Sequence, residues 1–277
     1  MDIKKVVANG TEFNYIEHGQ GSPVILVHGS LNDYRAWGPQ METFSRRYNV
    51  IAYSRRYHYP NPWVGNGKDY SASLHSNDLA ALIDALGLGP VGIISHSYGA
   101  YASLLLSAGH SELVRTIVIG EPPLIPWLED IPDGSSLGLD FINNVWKPSD
   151  QAFQSGDLEL GVRIFIDGVS GKGTFSRLPP PVRDMIMDNA PAMAAQTSAQ
   201  DQFPSFTCQD AERIKAPALV LTGQMSPKWL QQISYELKRC ISQSALSVIP
   251  DASHNMQSGN PKAFNETVLS FLEKNLP

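Results

Sequence analysis

A chain of 277 residues, 42% hydrophobic and 17% charged, is long enough for one large domain or one domain carrying a sizeable insertion. Its formal net charge of −6, with acids and bases mixed along the chain, excludes a polyanion footprint and with it a nucleic-acid partner. The N-terminal MDIKKVVANGTEF has no apolar signal core and no apolar run nears the roughly 18 residues of a membrane span, so a cytoplasmic protein with no membrane partner is expected.

Residues 3–8 and 12–17 are polar enough to form an antiparallel edge. The runs 24–28, 50–54, 91–95, 114–119, 218–222 and 245–249 are short and continuously apolar, as buried parallel strands should be. Helical patterns cover 36–48, 73–86, 98–109, 227–240 and 261–275. Strand and helix alternating in this way predict an α/β fold, a mostly parallel eight-stranded sheet flanked by helices. Between Pro122 and Asp210 the alternation stops. Pro-rich turns (EPPLIP, RLPPPVRD) and helix-like pieces at 157–169 and 180–196 take over. The prediction is a helical insertion over 122–210, with 1–121 and 211–277 as the core. Cys208 and Cys240 stand far apart in no metal or redox spacing and are expected to be reduced, structural thiols.

The most informative stretch is VGIISHSYGA, residues 91–100. An apolar strand enters Ser95-His96-Ser97-Tyr98-Gly99 and a small-residue helix follows at once, the setting of a nucleophile elbow with Ser95 in place of the first glycine of G-x-S-x-G. Ser97 then lies at a helix N-terminus, where free N–H groups favour developing negative charge; a plain Ser N-cap is the simpler alternative. The strand before His28-Gly29-Ser30 brings a second backbone close, so the N–H groups of Ser30 and Tyr98 are candidates for an oxyanion hole. His28 and His96 are expected to be structural. His254, in a loop after the last strand, is the candidate general base, and Asp251 is expected to shape that loop. Gly87–Gly92 matches G-x-G-x-x-G but precedes a strand, so it implies no dinucleotide. Without a Walker loop, HExxH or Cys/His cluster, no cofactor and no metal are expected.

The motifs HGS (28–30), SHSYG (95–99) and PDASHN (250–255), in this order, make the chain resemble the α/β-hydrolase superfamily, above all its capped esterase, lactonase and haloperoxidase-like branches. In many members the triad acid follows the seventh strand, which here runs into GQMSP with Ser226 where an aspartate is expected. Another branch carries it after the sixth strand, where this chain has Gly120-Glu121-Pro122. The resemblance therefore implies a Ser97–His254–Glu121 triad. It implies a serine hydrolase for an ester or lactone of a small, largely apolar molecule; the Trp, Phe and Met residues of the insertion suggest an apolar lid, with Trp127 and Trp146 contacting substrate. A serine nucleophile argues against dehalogenase and epoxide-hydrolase chemistry. C–C or amide hydrolysis and perhydrolysis stay open on the same triad, as does a non-enzymatic receptor that retains it.

Overall fold

The computed structural model describes residues 2–277. Its strands are β1 Lys4–Ala8, β2 Thr11–His18, β3 Pro23–Val27, β4 Asn49–Tyr53, β5 Val91–His96, β6 Val114–Gly120, β7 Ala218–Gly223 and β8 Ser244–Ile249. They form one sheet in the order β1-β2-β4-β3-β5-β6-β7-β8. β1 and β2 pair antiparallel, β2 joins β4 antiparallel, and every other pair is parallel. Side chains alternate across each strand, so Ile25 and Val27 enter one hydrophobic core while Val24 and Leu26 enter a second on the opposite face.

Helices α1 Gly38–Phe44, α2 Ala72–Ala85 and α3 Tyr98–Gly109 lie between strands of the first half. Between β6 and β7 come α4 Gly134–Phe141, α5 Lys147–Gln154, α6 Leu158–Ser170, α7 Thr174–Arg177, α8 Pro180–Asp188, α9 Ala190–Ser198 and α10 Cys208–Glu212. A π-helical segment, Ile142–Trp146, joins α4 to α5. The chain closes with α11 Lys228–Cys240, α12 Met256–Gly259 and α13 Pro261–Asn275. No helix among the described residues is long and apolar enough to cross a membrane.

Three expectations need correction. The helix over 36–48 is a 3₁₀ turn, Tyr34–Trp37, followed by the short α1, because Gly38-Pro39 opens a new helix and the chain turns after Phe44. The helix over 180–196 breaks at Asn189. There Pro191 starts α9, while the Asn189 side chain is taken up elsewhere: Nδ2 donates to Asp33 Oδ2 (2.7 Å) and to Met185 O (2.8 Å), and Oδ1 accepts from the Tyr59 N–H (2.9 Å). Cys208 and Cys240 are not free thiols but a disulfide. It ties the start of α10, where the chain re-enters the core, to the end of α11. Their spacing in sequence said nothing because the two helix ends meet only after folding.

Candidate functional site

β5 and α3 meet at Ser97, whose backbone has φ 53° and ψ −126°, a conformation that L-residues rarely adopt. The turn can close because Gly99 has no Cβ: one built there would stand 2.3 Å from the His28 carbonyl oxygen, so α3 could not approach the end of β3. The Ser97 N–H donates to Gly120 O at 2.7 Å, which ties the turn to the end of β6. Ser95, where a glycine was the expected residue, is accommodated by donating its hydroxyl to Val118 O at 2.8 Å.

Three side chains then fall into line. His254 Nε2 is 3.0 Å from Ser97 Oγ, and His254 Nδ1 is 2.7 Å from Glu121 Oε2. Glu121 is fully buried and follows Gly120 with a positive φ of 46°. Its other oxygen, Oε1, accepts from the Thr222 hydroxyl (2.5 Å) and the Gly223 N–H (2.9 Å). The loop after β7 thus supplies no acid but supplies the donors that hold one. Ser226 in the same loop has a buried hydroxyl with no hydrogen-bond partner among the described residues. Asp251 stays on the surface, its N–H bonded to the Gln224 side chain.

His96 turns away from Ser97. Its Nε2–H donates to the backbone oxygen of His254 at 2.8 Å, and the two ring centres lie 4.5 Å apart with their planes tilted by 45°. It therefore anchors the loop that carries His254, through a hydrogen bond that adjacency in sequence did not reveal. Burial, reinforced by His254, pushes the His96 imidazole well below its usual range.

Ser97 and His254 open onto a largely enclosed cavity of about 20 Å³, room for one water. Side chains of the segment between β6 and β7 form most of its wall, the aromatic Phe141, Trp146, Phe165 and Phe203 among them, with Trp229 from α11. Ser30 and Gln196 supply polar edges, and the Ser30 hydroxyl donates to Gln196 Oε1 at 2.7 Å. Trp146 lies at this wall; Trp127 does not. Its indole N–H donates to Phe206 O at 2.6 Å and its ring stacks on Phe206. Composition could not distinguish these two tryptophans. On the far side of α6, Ile166 and Ser170 face a groove of about 680 Å³, while Phe165 and Val169 face the cavity.

Sequence reasoning also passed over the segment after β4. Arg55 is fully buried and lies directly behind the loop of residues 28–30, with His58, Tyr70 and His75 packed around it. The available signal was SRRYH at the end of a buried strand, where two charged residues have no obvious route to water.

The model for the "Alpha/beta hydrolase family" matches residues 24–267. A non-heme haloperoxidase of Rhodococcus erythropolis is 26% identical over 96% of this chain and 97% of its own length. An (E)-2-((N-methylformamido)methylene)succinate hydrolase of Acinetobacter baylyi is 22% identical over 96% of each. Among solved structures, the enol-lactonase from Burkholderia xenovorans superposes with a TM-score of 0.79 at 21% identity, over 98% of this chain and all of that one. A thermophilic esterase from Thermogutta terrifontis gives 0.79 at 22% identity over the whole of both chains. With a family model spanning most of its length and a sheet shared with these structures, the chain belongs to the alpha/beta hydrolase family.

Proposed function

We propose that the protein hydrolyses a carboxylic ester or lactone of a small, largely apolar molecule through an acyl-enzyme. The observation that carries this reading is the unbroken line from Ser97 Oγ through His254 to Glu121, with the hydroxyl at the mouth of an aromatic-walled cavity. His254 Nε2 takes the Ser97 proton as Oγ attacks the carbonyl carbon, and the carbonyl electron pair moves onto oxygen. The N–H groups of Ser30 and Tyr98 receive that oxyanion. The proton passes to the leaving alcohol, and water repeats the sequence on the acyl-enzyme. Glu121 holds the Nδ1–H tautomer and stabilises the imidazolium. Residues 122–210 act as a cap over the core formed by 1–121 and 211–277, and the esterase and lactonase among the structural neighbours support the substrate class. No step of this route calls on a metal or an organic cofactor.

A fluorophosphonate should add once, at Ser97, as read by mass spectrometry, and turnover should appear against a panel of aryl esters and lactones. Labelling that persists in Ser97→Ala, or a wild-type protein limited to a single turnover, would overturn the reading. The wall residues set substrate choice. Trp146→Ala should therefore change the rank order of acyl chain lengths in kcat/KM. Trp127→Ala should leave that order intact and instead cost about 3–5 kcal/mol of stability, the usual loss for a buried tryptophan. The same ranking in both variants would show that Trp146 is only packing.

A further inference from the structure

Arg55 is fully buried, yet it makes no ion pair with any carboxylate of the described residues. Its sequence neighbour Arg56 shows the ordinary solution, pairing with Asp78 at 2.6 Å. A guanidinium keeps its charge in a protein interior, and burying one without a counter-charge is among the costliest arrangements a fold can hold. Arg55 is tolerated because its donors are spent on neutral acceptors. Nε donates to His28 O (2.9 Å), Nη2 to Gly29 O (3.1 Å) and His58 Nε2 (3.1 Å), and Nη1 to the Tyr70 hydroxyl (3.3 Å). The guanidinium carbon also lies 5.3 Å from the centre of the Tyr98 ring.

These acceptors matter for where they lead. The carbonyl of Gly29 and the N–H of Ser30 are the two ends of one peptide unit. A cation bonded to that oxygen fixes the peptide plane and draws electron density from the nitrogen, so the N–H becomes a stronger and better-aimed donor. His28 adds to this. Its Nε2 accepts from the Arg55 N–H at 2.9 Å, which leaves the ring proton on Nδ1 to donate to the same Gly29 oxygen at 2.8 Å. The other donor of the proposed hole is the N–H of Tyr98, whose ring rests against the guanidinium.

We propose that Arg55 is the positioning cation of the oxyanion site, acting through the Gly29–Ser30 peptide, and that its missing counter-charge is the oxyanion formed when Ser97 adds to substrate. The proposal rests on the reading of Ser97 as nucleophile. Charge developing on the substrate oxygen is then met by a field already in place, in a water-poor interior where such a field is strong. Ground-state substrate carries no such charge, so the effect falls on the transition state.

The test compares Arg55→Met, Arg55→Gln and Arg55→Lys with the wild type, using an aryl ester and a phenylboronic acid that adds reversibly to the serine. Both neutral variants should lose about ten- to a hundredfold in kcat, with KM within about twofold, and boronic-acid affinity should fall in step with kcat. Arg55→Lys, which restores the charge, should recover part of both losses. A folded neutral variant with wild-type kcat would overturn the proposal, as would losses that appear in KM or are not recovered by lysine. If neither neutral variant folds, Arg55 is a folding determinant and the proposal fails. Absence of fluorophosphonate labelling in the wild type would overturn the nucleophile reading itself, and is scored separately.

Discussion

Glu121→Gln should be folded and about four orders of magnitude slower in kcat than the wild type. The size of the loss follows the corresponding acid-to-amide change in a serine protease. The local reason is specific to this site. Glu121 Oε1 accepts from the Thr222 hydroxyl and the Gly223 N–H, and in the variant those two donors hold the amide oxygen on their side. The amide NH₂ then faces His254 Nδ1, which can no longer carry a proton. The imidazole hydrogen moves to Nε2 and points at Ser97 Oγ, so the base cannot accept the serine proton. Steady-state kinetics on the best aryl ester and a melting curve check both halves. Near wild-type kcat would remove Glu121 from the triad. In this background Ser226→Asp tests whether the loop after β7 can still carry the acid, and a partial return of rate is the expected result.

Acidification should unfold the protein well before its carboxylates titrate. Burial pushes His28, His58, His75 and His96 well below the ordinary imidazole range, with the charge of Arg55 adding to the first three and His254 to the fourth. In the unfolded chain each takes up a proton near pH 6.5. Below that pH the unfolded state binds more protons than the folded one, so stability is complete above about pH 6.5 and falls as the pH drops through it. At pH 5.5 each histidine costs on the order of 1 kcal/mol, and the four together several kcal/mol, comparable with the whole stability of many domains. Urea midpoints at pH 7.5 and pH 5.5 measure the difference. Equal midpoints would mean that these imidazoles are protonated, or reach water, in the folded state.

All eight strands were legible in the sequence, each to within one residue at either end. Their apolar runs have a length and flanking that only buried strands share. The elbow was legible because Ser97 needs small neighbours and a strand-to-helix change, which are local properties. Glu121, which lies 2.7 Å from His254, stands out in the sequence because the loop at Gln224-Met225-Ser226 has no carboxylate while the end of β6 is followed by one. What escaped depends on contacts between distant segments. Arg55 acts on carbonyls 26 and 27 residues upstream, and backbone acceptors leave no trace in residue identity. Gln196 reaches Ser30 across 166 residues. The break at Asn189 and the bond between Cys208 and Cys240 likewise arise from what folding brings near. Trp127 and Trp146 are the same residue type in the same insertion, and only the packing of Phe206 and Phe203 tells them apart.

The smallness of the space above Ser97 has a kinetic consequence. With room for about one water above Ser97, the proposed reading of residues 122–210 as a cap requires that segment to part from the core before an ester enters. The apparent dissociation constant is then the intrinsic one of the parted form divided by its resting population. Every reagent aimed at the serine meets that same population, whatever its own chemistry. Two unrelated acylating agents whose chemistry outpaces that motion should therefore converge at saturation on one first-order rate, set by the protein rather than by either reagent.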